Sequence, residues 1–212
     1  MTKQGKFITL EGVEGVGKTS NLAFVAARLR AAGVTVVETR EPGGTALGEA
    51  LRALLLGHKH DGMAEDAELL LMFAARAEHL ARVIRPALER GDWVLCDRFT
   101  EATYAYQGGG RGVERQRIEA LENWVQGDLR PDLTILLDLS VEQGLARAGQ
   151  RSAPDRFEKE HAAFFHAVRN DYLRQAEARP DQFRIIDAEP TLARVQASIA
   201  VVLDDFLGSA RQ

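Results

Sequence analysis

The segment Phe7 to Thr19, FITLEGVEGVGKT, restricts the possible fold more than any other part of the chain. A short apolar run leads into a glycine-rich turn that ends in Lys-Thr, and from Gly12 to Thr19 the residues fit G-x-x-x-x-G-K-[ST]. That spacing belongs to a strand–loop–helix unit in which successive backbone N–H groups converge on a phosphate. Gly12, Gly15 and Gly17 let the backbone curl without a Cβ in the way, and Val13, Glu14 and Val16 fill the positions between them. Lys18 contributes a mobile positive charge toward β- and γ-phosphates, and the Thr19 hydroxyl is of the type that joins the coordination of Mg²⁺. The helix opening at Lys18 points its unpaired N–H groups at the same anion. The pattern therefore predicts an α/β fold with a P-loop that binds a nucleoside triphosphate.

The rest of the chain is consistent with one domain over residues 1–212. A net charge of −4 argues against broad binding to nucleic-acid polymers or anionic membranes, so basic residues should be gathered in sites. Cys96 is the only cysteine, which excludes an intrachain disulfide, and no signal-peptide pattern precedes the first apolar run. The longest apolar run, Leu69 to Ala75, is too short to span a bilayer. These features predict a cytoplasmic protein.

Read in order, the sequence alternates strand and helix signals. Leu22, Val25, Ala26 and Leu29 recur at helical spacing before Gly33, and Val34 to Glu38 reads as a strand, which gives a parallel βαβ unit. The turn-rich TREPGGT of Thr39 to Thr45 follows, at the sheet edge where such folds gather ligands. A helix is predicted over Leu47 to Leu56. His58, Lys59, His60 and Asp61 then read as a solvated loop, because no further ligands surround them at metal-site spacing. A long helix over Asp66 to Arg90 carries an apolar stripe into which Arg76 falls. A guanidinium there requires either a structural carboxylate or a polar ligand. Trp93 to Cys96 is a strand ending in Asp97-Arg98. Asp97 occupies a position suited to Mg²⁺, and Arg98, where a second acid would serve hydrolysis, favours a second phosphate. The glycine run Gly108 to Gly112 reads as a close-approach turn. A helix over Glu114 to Val125, a buried strand over Leu133 to Leu139 and a capping box from Ser140 to Gln143 come next. RAGQRSAPDR, Arg147 to Arg156, gathers arginines into a candidate lid, followed by a helix over Glu158 to Ala178, a strand over Phe183 to Ile186 and a helix over Thr191 to Leu207.

The motifs LEGVEGVGKT, TREPGGT, FAAR, DRF, AYQGGGRG and RPDLTILLDL, with the lid and its Asp155-Arg156-Phe157-Glu158, resemble the thymidylate kinase family over essentially the whole chain. The resemblance implies the P-loop nucleoside monophosphate kinase fold, a five-stranded parallel sheet surrounded by helices. It also implies phosphoryl transfer from ATP to dTMP with Mg²⁺, in the supply of dTTP, by a homodimer. By the same resemblance Gly12 to Thr19 hold the ATP phosphates, Glu14 lies near the acceptor's 3′-hydroxyl, Arg98 and Arg40 hold the dTMP phosphate, and Arg76 hydrogen-bonds the thymine edge. Thr103 and Gln107 complete base recognition and Tyr106 packs on the sugar. The family's stacking aromatic sits four residues before the base-reading arginine, where this chain has Met72, with Phe73 one residue later, so both are candidate platforms. Because no basic residue lies within the P-loop before Lys18, the chain resembles the subgroup whose transition-state arginine is in the lid (about 147–157), and Arg151 matches that position. The competing expectations are a nucleoside monophosphate kinase with another base choice and a P-loop ATPase switch. No N-K-x-D guanine-reading segment is present.

Overall fold

The computed structural model describes residues 5–57, 62–149, 156–157 and 160–210. The loop residues His58 to Asp61 and Arg151 of the lid lie outside the described residues. Strands β1 (Phe7–Glu11), β2 (Val36–Arg40), β3 (Trp93–Asp97), β4 (Leu133–Asp138) and β5 (Phe183–Asp187) form one parallel sheet in the order β2-β3-β1-β4-β5. Helices α1 (Lys18–Ala31), α2 (Ala46–Leu56), α3 (Glu65–His79), α4 (Arg85–Glu89), α5 (Thr100–Thr103), α6 (Arg115–Gln126), α7 (Val141–Ala148), α8 (Ala162–Ala178) and α9 (Leu192–Ala210) connect and surround it.

β1 is buried along its whole length and β4 up to Leu137, as their continuous apolar character requires of a parallel sheet covered on both faces. Even the polar residues of the sheet centre are satisfied in place: the Thr9 and Thr134 hydroxyls share a hydrogen bond of 2.9 Å between β1 and β4. The principal core joins Ile8, Leu10, Ile135 and Leu137 to Val25 and Leu29 of α1, Val168 and Tyr172 of α8, and Ile199 and Leu203 of α9.

Some boundaries differ from the sequence expectation for identifiable reasons. β2 begins at Val36 rather than Val34, because the Val34 N–H turns back to the Leu29 carbonyl and finishes α1. It then runs on to Arg40, which pairs with Asp97, so Arg40 stands at the end of a strand and not in the following turn. The predicted helix over residues 66–90 begins at Glu65 and widens into a π-helical turn at Leu80–Ile84 before α4. The predicted capping box at Ser140 is half formed: the hydroxyl accepts from the Gln143 N–H at 3.4 Å, while the Gln143 amide donates to Glu189.

The glycine run is a close approach, as read from the sequence, but a helical one. It ends the π-helical segment Tyr104–Gly110, which lies against α8. A Cβ on Gly110 would sit 2.3 Å from the Phe164 ring, so only glycine allows α8 this near. Tyr106 and Gln107 belong to the segment pinned by that contact.

Because β1 is flanked by β3 on one side and β4 on the other, the connections leave it in opposite directions, and a crevice opens at the carboxyl ends of the strands. The loop after β1, the end of β2 and the Asp97-Arg98 turn after β3 all meet there.

Candidate active site

A cavity of about 290 Å³ occupies this crevice, and its wall includes Glu14, Gly15, Gly17, Lys18, Thr19, Arg40, Met72, Arg76, Asp97, Arg98, Thr103, Tyr106 and Gln107. Residues predicted separately along the chain thus converge on one space. Gly12, Val13 and Val16 are not on its wall. Their side of the loop faces the core, where Val13 and Val16 are buried among the strands and α1. The loop is held from behind by α7: a Cβ on Gly15 would lie 2.0 Å from the Gly144 carbonyl oxygen, and Gly15 has φ 75°. Backbone contact on the inner side leaves the other side of the turn to line the cavity.

Lys18 donates to the carbonyls of Gly12 and Val13 at 2.9 and 3.0 Å. Burial and the nearby Arg98 guanidinium push its ammonium down to about 8, against the attraction of Asp97, Glu14 and Glu11. Across the cavity mouth Arg98 donates to Glu14 Oε1 at 2.7 Å and lies over the Tyr106 ring, with Cζ 4.6 Å from its centroid. Tyr106 donates its hydroxyl to the same carboxylate at 2.7 Å. Burial would raise the Glu14 carboxyl, but Arg98, Lys18 and the tyrosine hydroxyl together hold it below the usual carboxylate range. Glu14 is therefore an anion set among cations.

Arg76 is paired with a structural carboxylate and still keeps one nitrogen unpaired. Its Nε donates to Glu41 at 2.7 Å and one Nη to the Thr103 hydroxyl at 2.9 Å, with the side chain only 3 % exposed. The other nitrogen, Nη1, is buried without a hydrogen-bond partner in the protein, on a residue of the cavity wall. An unpaired guanidinium N–H is costly, and a ligand acceptor would satisfy it. Met72 lines the cavity and Phe73 does not: Phe73 is buried with Leu69, Tyr104, Val113 and Ile118, and its ring lies 4.7 Å from the Arg76 guanidinium. Of the two candidate platforms, Met72 is therefore the one that the fold brings to the cavity wall. On an α-helix Met72, four residues before Arg76, stays on its exposed flank, while Phe73 rotates into the core.

Gln107 lines the cavity but commits an amide N–H to buried Glu68 at 2.8 Å. Arg40 is on the wall and is paired with Glu49 at 2.9 and 3.0 Å. Of the lid arginines, Arg147 donates to the Ala188 and Glu189 carbonyls at 3.1 and 3.3 Å. Arg156 is buried, bound through Nε to the Leu55 carbonyl at 2.8 Å and through Nη2 to Glu68 at 2.5 Å. Both anchor the roots of the lid and neither reaches into the cavity.

Sequence reasoning did not pick out Glu41, Glu68 and His79, the buried partners that fix these groups. Glu41 also accepts from His79 Nδ1 at 2.9 Å, and His79 Nε2 meets the Thr39 hydroxyl at 2.6 Å. Arg52 was missed as a wall residue. The only available signal was indirect, since a buried arginine requires a carboxylate somewhere.

The donor set also suits a hard divalent cation. Asp97 Oδ1 is buried without a partner, and the Thr19 hydroxyl lines the same cavity. Such a cation is held by one or two protein oxygens together with phosphate and water. No group of three or more His, Cys, Asp or Glu able to hold a metal occurs among the described residues.

Residues 10–199 match the family model described as thymidylate kinase. The chain is 62 % identical over 203 residues to the thymidylate kinase of Pseudomonas syringae pv. tomato, covering 96 % of this chain and 97 % of that protein. It is 59 % identical over 203 residues to the thymidylate kinase of Methylococcus capsulatus, with the same coverage of both chains. The crystal structure of thymidylate kinase from Ehrlichia chaffeensis superposes with a TM-score of 0.76 at 33 % identity, covering 95 % of this chain and 99 % of that one.

Proposed function

The chain belongs to the thymidylate kinase family and phosphorylates dTMP to dTDP with ATP as donor, and we propose that the crevice at the ends of β1, β2 and β3 is where that transfer occurs. The observation that carries this assignment is the unpaired Nη1 of Arg76 on the wall of the cavity that also holds Lys18 and Arg98. It supplies a hydrogen-bond donor for a base edge in the same space as two phosphate-binding cations.

In this reading the N–H groups of the loop from Gly12 to Thr19 cradle the donor phosphates, and Lys18 exchanges the Gly12 and Val13 carbonyls for phosphate oxygens. Arg98, with Arg40 beside it, holds the phosphate of dTMP. Arg76 and Thr103 address the thymine, with Gln107 adjoining, Met72 supports the face of the base, and Tyr106 packs on the sugar. Glu14, anchored by Arg98 and Tyr106, presents a carboxylate toward the 3′-hydroxyl. Asp97 and Thr19 would hold Mg²⁺, which when bound neutralises charge on the transferring phosphates. Arg151 of the lid meets the charge that develops on the phosphoryl group in transit.

We further read the protein as a cytoplasmic homodimer. In support, no helix among the described residues is long and apolar enough to cross a membrane. Leu47 and Leu54 of α2 and Leu70 of α3, helices that pack on each other, are exposed apolar residues of the kind a second copy would cover.

The test of the substrate assignment is ADP release from Mg-ATP with dTMP, dUMP, UMP, CMP, AMP and GMP offered singly. Turnover should be fastest with dTMP. Equal or faster turnover with a purine or cytosine nucleotide would assign the cavity to another base.

A further inference from the structure

Directly beneath the cavity lies a group that the roles above leave unused. Glu11, the last residue of β1, is completely buried, yet its carboxyl is bound on both oxygens: Phe99 N–H donates to Oε1 at 2.6 Å and the Tyr172 hydroxyl to Oε2 at 2.8 Å. Phe99 follows Arg98, which has φ 68° and is the only non-glycine residue with positive φ among the described residues. An L-residue in that conformation is held there by its surroundings and not by its own preference.

The surroundings can be named. Arg98 N–H donates to the Leu10 carbonyl at 3.1 Å, continuing the β1–β3 ladder and fixing the approach to the turn. The peptide unit leaving Arg98 is gripped at both ends: its carbonyl accepts from Cys96 Sγ at 3.0 Å, and its N–H is the one bound by Glu11. Three hydrogen bonds thus set both backbone dihedrals of Arg98. The turn they impose carries the guanidinium back over the P-loop to Glu14, along the Tyr106 ring.

We propose that Glu11 is a positioning residue, whose buried carboxyl locks the left-handed turn at Arg98 and so aims that guanidinium at the acceptor's phosphate. Without the carboxyl, the Phe99 N–H is a buried donor with no partner, and relaxation toward an ordinary φ swings Arg98 away from its aim. The proposal rests on the reading of Arg98 as the residue that binds the phosphate of dTMP.

The test compares calorimetric titrations of dTMP and of thymidine, which lacks the phosphate, into the full-length protein. Arg98→Ala should weaken dTMP and spare thymidine. Glu11→Leu should do the same, with a loss for dTMP of about tenfold or more and thymidine within about twofold. Glu11→Gln keeps an acceptor for Phe99 and a partner for Tyr172, so it should recover most of the lost affinity. In Glu11→Leu/Arg98→Ala the two losses should not add, because one acts through the other. If Glu11→Leu does not fold, Tyr172→Phe, which frees one oxygen of the clamp, decides by the same criterion, with an expected selective loss of about threefold. Equal losses of dTMP and thymidine, additive losses in the double variant, or undiminished dTMP affinity overturn the role of Glu11. If Arg98→Ala itself leaves dTMP binding unchanged, the fault lies with the assignment of Arg98.

Discussion

Arg76 shows at the scale of a single residue how stability and recognition divide one side chain. Two of its nitrogens hold Glu41 and Thr103, and the third has no partner in the protein. Arg76→Ala should therefore destabilise the protein as well as weaken dTMP, because Glu41 is left buried with His79 as its remaining partner. We expect a loss of about 3–5 kcal/mol in denaturant unfolding, which Glu41→Gln in the same variant should partly restore by removing the stranded charge. Unchanged stability in Arg76→Ala would mean that Glu41 is satisfied without it. The sequence made it plain that Arg76 needed a partner, from its place in an apolar stripe, but not which one. Glu41 is remote along the chain, and nothing local marks a buried ion pair. The choice between Met72 and Phe73 was likewise out of reach, since it depends on a rotation of α3 that its neighbours decide.

At the scale of elements, the lid is defined by its roots. Arg147 ties the end of α7 to the loop after β5, while Arg156 ties the other root to the end of α2 and to Glu68 of α3. Phe157 beside it stacks edge-on against Tyr106, with centroids 5.9 Å apart. Both of these arginines are engaged in anchoring, and we propose Arg151, on the resemblance alone, as the residue that meets the transition-state charge. Arg151→Ala should lower kcat by roughly 10²-fold or more with little change in the KM for dTMP, and lysine at that position should rescue only in part. A raised KM for ATP at unchanged kcat would instead make the segment a binding flap. The arginine-rich composition is what marks this segment as a candidate lid in the sequence. The anchoring roles were not, because they rest on backbone carbonyls that carry no side-chain signature.

For the whole molecule, the alternation of apolar runs with helical periodicity was enough to give the parallel sheet, and the P-loop located the site at its carboxyl edge. What remained hidden was a layer of buried carboxyl groups, Glu11, Glu41, Glu68 and Glu101, which join elements distant in sequence. This layer has a consequence for stability against pH. Burial and the neighbouring Glu101 raise the Glu11 carboxyl from 4.5 to about 8, against the pull of Tyr172, Arg98 and the Phe99 N–H. The folded protein thus keeps a proton that the unfolded chain loses, so the contribution is complete below 4.5 and is lost as pH rises through about 8. Melting temperatures of the wild type should fall relative to those of Glu11→Gln across that window, and parallel curves would contradict a protonated Glu11. We propose that one cavity holds donor and acceptor by separate groups, with Arg76 serving the acceptor alone. The most direct measurement is calorimetric titration of folded Arg76→Ala with dTMP and with a non-hydrolysable ATP analogue. We predict that dTMP affinity falls by about tenfold or more while the ATP analogue binds as to the wild type. Unchanged dTMP affinity, or an equal loss for both nucleotides, would contradict it.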